Sequence, residues 1–239
     1  RLRKWLGDRI FRNIQNHEYT IKNEPFEATI SIDKYDIQDD NLGIYKPQVE
    51  NLAQSAKLHP EELVFKTLES GFSQKCYDGI TFFGSHKVGK LIYQNKSDKA
   101  LTMDSYVEAR TSMMKIKDDE GRTLRVIPNL LVVPPALEKT ARDILQADFI
   151  NGTSNAYKET AEILVVPELS SDTAWFLLDT TKAIKPIIFQ EREKPTFVSL
   201  TDDTNSNVFI NRTFLYGVET RCNTGYGFWQ MAYGSTGTA

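Results

Sequence analysis

The sequence has few of the residues that metal and thiol chemistry use: two cysteines and three histidines in 239 residues. Cys76 and Cys222 are far apart and lack CxxC spacing. This argues against a disulfide framework or a cysteine zinc site and makes a reducing compartment the expectation. His17, His59 and His86 would have to converge from separate elements to hold an ion together, so no metal and no cofactor is expected. No apolar run approaches the ~20 residues that span a bilayer, and the opening RLRKWLGDR has no signal-peptide stretch; a soluble, unsecreted protein with no membrane partner is expected. There is also no basic excess. With 29 basic against 32 acidic residues the net charge is −3, too balanced for a chain whose main task is gripping phosphates. GxxxxGK[ST], GxGxxG after a strand and HExxH are all missing, which removes phosphate-loop, dinucleotide and zincin chemistry.

The smaller signals are bland. Asp39-Asp40, Asp118-Asp119 and Asp202-Asp203 lack the twelve-residue calcium loop with its closing Glu and read as solvated turns. Asn95, Asn151 and Asn211 begin N-x-S/T triplets that carry no glycosylation meaning without export. The chain opens on Arg, so a preceding segment is expected. The aromatic tail Tyr226, Phe228, Trp229 and Tyr233 has no basic residue among it to track a phosphate backbone, and packing is its expected use.

What is present is ordinary core material: 40% apolar residues, with ten Tyr and thirteen Phe, enough for one large domain or two small ones. Phe26, Ala28, Ile30 and Ile32 alternate with polar residues, the period of a strand, and Asn23-Glu24-Pro25 is turn chemistry. A hairpin over 19–36 is expected, with 19–22 pairing back on 26–36. Helical spacing over 47–57 and 60–70, broken at Pro60 and stopped at Gly71, gives two helical pieces. A helix in TMDSYVEARTSMMKI, 102–116, with Tyr106, Ala109 and Met113 on one face precedes NLLVVPP, a buried strand, and PALEKTARDIL, a helix with Leu137, Ala141, Ile144 and Leu145 inward. AEILVVPEL, AWFLLD, IKPIIFQER, FVSL and VFINRTFLYGVETRCN continue as β segments. The stretch CYDGITFFGSH, 76–86, places Cys76, Asp78 and His86 together and could serve a thiol nucleophile with a held base. Turns between packed aromatics, with His86 in a loop, explain it more simply, as a joint after the helical segment.

The blocks KWLGDR, YTIKNEPFEATISI, IQDDNLGIYKPQVENLAQSAKLHPEELVFKTLESGF, CYDGITFF, LLVVPPALEKTARDIL, WFLLDTTKAIKPIIFQERE and FLYGVETRCNTGYGFWQMAYGS resemble, in order, those of the major head subunit of Mu-like phages and prophages. GSHKVG departs from that family's more aspartate-rich DTDHPVG-like segment. The resemblance implies an α+β, Hong Kong 97-type capsid fold. Residues 1–18 would be the remnant of an N-terminal arm and 19–36 an extended hairpin loop, with Lys22, Asn23, Glu24, Pro25 and Phe26 at a subunit interface. Residues 37–102 would form a peripheral domain with its spine helix, 103–180 the axial domain, and 181–239 strands returning to the peripheral domain. It implies no catalytic residue, no assignable crosslinking pair, and a structural protein that self-assembles through hexamers and pentamers into an icosahedral shell around a phage genome. Its partners would be a scaffold, a head protease, a portal and weakly contacted double-stranded DNA; it would assemble in the host bacterial cytoplasm and reside in the virion. Two other functions compete: a cellular nanocompartment shell of the same fold, and a cytoplasmic thiol hydrolase using Cys76 and His86.

Overall fold

The structure, a computed structural model, describes residues 19–39, 43–118, 120–150 and 152–238, so the expected N-terminal arm at 1–18, and His17 with it, lies outside the described residues. In chain order the elements are β1 (Glu24–Asp33), α1 (Lys34–Gln38), α2 (Tyr45–Ser70), β2 (Ser85–Val88), β3 (Leu91–Gln94), β4 (Lys96–Ser97), α3 (Met103–Met114), β5 (Leu130–Val133), α4 (Glu138–Leu145), β6 (Phe149–Ile150), β7 (Thr153–Ser154), β8 (Glu162–Val165), β9 (Trp175–Leu178), β10 (Ile187–Leu200), α5 (Ser206–Asn211), β11 (Thr213–Tyr226) and β12 (Ala232–Ser235).

Five of these strands form a compact unit, a sheet in the order β4-β12-β9-β5-β8. LLVV and WFLL are unbroken apolar runs because both faces of this sheet are covered. Leu131, Val133, Trp175 and Leu177 point to one face, where Tyr106, Ala109 and Met113 of α3 and Ala141, Ile144 and Leu145 of α4 meet them. Val132, Phe176 and Leu178 point to the other, against Leu68, Phe82, Phe83 and Trp229. The helical faces expected for α3 and α4 are the faces buried. A capping box formed by Thr102 and Ser105 starts α3.

The second unit is long and thin. β11 is the centre of a three-stranded antiparallel sheet, β1-β11-β10, with Glu24 opposite Cys222 and Asp33 opposite Thr213 on one side, and Ile187 opposite Tyr226 and Leu200 opposite Leu215 on the other. Fourteen residues at ~3.3 Å each carry the β10–β11 pair about 45 Å from the compact unit. β10 shifts register between Glu191 and Thr196, the stretch that holds Pro195, because proline gives the ladder no donor and fits an edge strand at an irregularity. α2 lies along this sheet, and its far end joins the aromatic face of the compact unit through Leu68.

Several expectations from the sequence are corrected. Residues 19–22 form no strand, and β1 pairs with β11 over ten residues, a longer ladder than a four-residue return arm could offer. Side-chain bonds tie 19–22 down instead: Asn223 Nδ2 donates to the Lys22 carbonyl at 2.6 Å, Gln190 Nε2 to that of Ile21 at 3.2 Å, and the Tyr226 amide to Tyr19 Oη at 3.2 Å. The strand ends at Asp33, whose carboxylate caps α1 through the Tyr35 amide. The helical stretch is one helix of 26 residues that runs through Pro60, since both of its halves pack on the same sheet and proline deprives it of a single bond. FVSL continues IKPIIFQER as the one strand β10, and VFIN is not strand but the short helix α5. The final segments divide: β10 and β11 build the extended sheet, while β12 pairs with β9 and β4 in the compact one.

Candidate functional site

The eleven residues 76–86 form the joint between the two units. Asp78 Oδ1 accepts from the Ile80 amide at 3.0 Å, and Gly79 takes the left-handed φ of +81° that the turn requires. Phe82 and Phe83 are fully buried, the first stacked on Tyr226 at 4.6 Å and the second packed on Phe72 and Phe176. Phe83 fits because two neighbours have no side chain: a Cβ on Gly71 would lie 2.8 Å from its ring and one on Gly234 3.0 Å. Gly71 therefore does end α2, as its sequence position predicted, yet with ordinary right-handed dihedrals; close approach explains the glycine. Asn95, noted in the sequence only as the start of an N-x-S/T triplet, is 1% exposed and stitches three segments: its Nδ2 donates to the carbonyls of Phe82 and Ala232, and its Oδ1 accepts from the Gly84 amide.

Cys76, Asp78 and His86 do come together. The Cys76 thiol donates to Asp78 Oδ1 at 3.1 Å, and His86 Nδ1 lies 2.6 Å from Asp78 Oδ2. His86 is not in a loop: it is the fully buried second residue of β2, its ring stacked on Trp229 at 4.1 Å and 7°, with Nε2 3.2 Å from the Phe82 carbonyl. Burial, joined by the hydrogen bond to Asp78, pushes the Cys76 thiol up to about 12. Burial also acts to raise the Asp78 carboxyl, but hydrogen bonds from His86, the Ile80 amide and Cys76 outweigh it and hold the group below the usual carboxylate range. A thiol nucleophile needs a thiolate against a base. Here the thiol stays protonated at neutral pH and faces a carboxylate, while both imidazole nitrogens are engaged elsewhere.

The extended unit presents a different kind of site. Every residue of β10 from 191 to 200 is exposed, and β1 and β10 carry the free edges of the sheet among the described residues. At the far tip, Asn205 caps α5, Val208 is buried, and Phe209 and Ile210 stand 82% and 73% exposed. The Asp202-Asp203 pair sits in the tip turn, with Asp202 Oδ1 accepting from the Thr204 amide and hydroxyl. Between α2 and the sheet lie three open, apolar-lined grooves of about 200, 350 and 280 Å³. The first, between Phe26, Ala56, His59 and Val218, adjoins the helical turn that Pro60 weakens. His59 sits edge-on to Phe26 at 4.3 Å and leaves its Nε2 buried without a hydrogen-bond partner. Of the residues expected at a subunit interface, Lys22, Glu24 and Pro25 are exposed while Asn23 and Phe26 are half-buried. They sit where β1 begins, beside Arg221 and Cys222, and not at the tip of a projecting hairpin. The hairpin that does project is β10–β11, which the sequence reading missed.

Among the described residues no helix is long and apolar enough to cross a membrane. The family model described as Mu-like prophage major head subunit gpT matches residues 1–91, 86–169 and 168–238. The chain is 34% identical over 231 residues to the major capsid protein of Escherichia phage Mu, covering 97% of this chain and 56% of that protein. It is 32% identical over 237 residues to the Mu-like prophage FluMu major head subunit of Haemophilus influenzae, covering 99% and 58%. The chain thus spans a little over half the length of these two relatives. Among solved structures, the procapsid of bacteriophage JBD30 aligns with a TM-score of 0.55 and 30% identity over 98% of this chain and 59% of that one. The fold is the α+β, Hong Kong 97-type capsid fold that the block order implied.

Proposed function

Because the chain belongs to the Mu-like prophage major head subunit gpT family, we propose that it is a shell-forming capsid subunit whose working surface is the extended unit. The observation that carries this reading is the open edge of that unit's sheet: a 14-residue edge strand exposed from Glu191 onward, leading to a tip with Phe209 and Ile210 in water. An exposed edge and apolar patches of this kind are interaction surfaces or aggregation hazards. Copies arranged in closed rings would convert both into contacts. Residues 22–26 would belong to the same contact system, at the base of β1, and the shell would be built of hexamers and pentamers. Scaffold, head protease and portal would be the protein partners, packaged double-stranded DNA a weak one, and assembly would take place in the host bacterial cytoplasm before the protein resides in the virion. Catalysis has no place in this mechanism, and the protonated, carboxylate-facing Cys76 supports that absence.

Sedimentation and electron microscopy of the purified chain at rising concentration test the proposal. Capsomer-sized oligomers or closed particles are the expected outcome, and a monomer at every concentration would overturn it. Particles that enclose a protein cargo in place of DNA would favour the nanocompartment reading.

A further inference from the structure

Cys76, Asp78 and His86 offer a sulfur, a carboxylate oxygen and an imidazole nitrogen that all lie within 4.8 Å of one another. We propose that this cluster is a binding site for one borderline d-block dication of the Zn²⁺ or Co²⁺ class, held by Cys76 Sγ, one Asp78 oxygen and His86 Nδ1, with water in the fourth position. The donor set is the mixed sulfur, nitrogen and oxygen set such ions accept.

The imidazole is already arranged for it. The Phe82 carbonyl can only accept, so Nε2 keeps its proton; when an incoming dication displaces the proton held on the contact between Nδ1 and Asp78, the neutral ring that remains has its lone pair on Nδ1, on the side of Cys76 and Asp78. A backbone carbonyl on the far nitrogen is the outer partner that ligating histidines use to fix tautomer and orientation, and the Trp229 stack holds the ring plane. The Ile80 amide positions the carboxylate in the same way. Bonds of about 2.0–2.3 Å in a tetrahedron set donors roughly 3.3–3.8 Å apart. The present contacts of 2.6 and 3.1 Å must therefore open by up to about an ångström, and Asp78, the one side chain of the three with 21% exposure, can rotate to open them. Its open side is also the route in for the ion and the place for the water.

Charge balances through the exchange. Before binding, the cluster holds two exchangeable protons, one on sulfur and one shared between His86 and Asp78, and its net charge is zero. The dication displaces both to solvent, leaving thiolate, neutral imidazole and carboxylate around a 2+ ion, again neutral. A buried site tolerates such a substitution because no uncompensated charge is left behind. The bound ion would pin the loop after α2 to β2, beneath Trp229, at the joint between the two units.

The test is titration of the chelator-treated full chain with CoCl₂, followed by competition with ZnCl₂. One equivalent of cobalt should raise a near-ultraviolet thiolate-to-cobalt charge-transfer band, which zinc removes while raising the melting temperature. Cys222→Ser should keep the band, and Cys76→Ser should lose it with at least about 100-fold weaker zinc binding. If Cys76→Ser fails to melt cooperatively, Asp78→Asn replaces it, with at least about tenfold weaker binding expected. No band at one equivalent, a band that depends on Cys222, or affinity unchanged in the substituted protein would each overturn the proposal.

Discussion

β9 and β10 are neighbours in sequence and opposites in environment. All four residues of β9 are buried, paired with β5 on one side and β12 on the other, whereas the last ten residues of β10 are exposed along an open edge. The same contrast divides the molecule. The compact unit satisfies itself: its sheet is covered on both faces, and even its buried Asp179 carboxylate accepts from the Ile127 and Thr181 amides. The extended unit has one helix over one face of a three-stranded sheet, and α2 buries only Leu52 and Leu68 across 26 residues. Stability is thus concentrated where the chain is complete alone, and surface for association where it is not.

The largest effect should follow from emptying the joint. Phe83→Ala removes a fully buried ring from between Phe72, Phe82 and Phe176 and should cost about 3–5 kcal/mol, read as a lower denaturant midpoint at unchanged slope. A loss below about 1 kcal/mol would mean that the two units do not depend on this contact. Overfilling the same place should cost less: Gly71→Ala drives a methyl to 2.8 Å from the Phe83 ring, for about 1–3 kcal/mol.

How much of this was legible follows the same division. The compact unit could be read because local patterns govern it: the faces of α3 and α4 and the runs LLVV and WFLL declare their burial in sequence. The extended unit was misread where a non-local partner decided. β1 pairs with a strand almost two hundred residues away, and nothing near Asn23-Glu24-Pro25 reports that; Gly225 carries a faint signal, since a Cβ there would lie 2.6 Å from Ile21. Pro60 promised a break, but the sheet beneath both halves of α2 outweighs one missing bond. The cluster at 76–86 was legible as residue types only. Its wiring depends on Trp229 and Asn95, brought in by the tail and by the segment before β4.

Hydrogen exchange of the free chain would sharpen the comparison without any substitution. Amides of β9 should be among the slowest and open only with global unfolding, while β10 beyond Glu191 should exchange far faster through local opening. On assembly the β10 amides should slow and those of β9 should not change. Equal protection of the two strands in the free chain would erase the distinction.

The smallest effect on the subunit should come from the tip. α5 is held by the Asn205 cap and by buried Val208, whereas Phe209 and Ile210 face water, so Phe209→Ser with Ile210→Ser removes no packing. Serine has a helix propensity close to that of either residue, and the fold should move by no more than about 0.5 kcal/mol. Val208→Ala, one residue away but buried, should cost more, on the order of 1 kcal/mol or above. The two variants should then exchange rank in assembly: the double serine, intact as a subunit, should fail to form particles by sedimentation, while the alanine variant should still form them. Particles of normal size from a soundly folded double-serine chain would show that the tip is not a contact, and the working surface would then have to be sought along the β10 edge and the grooves under α2.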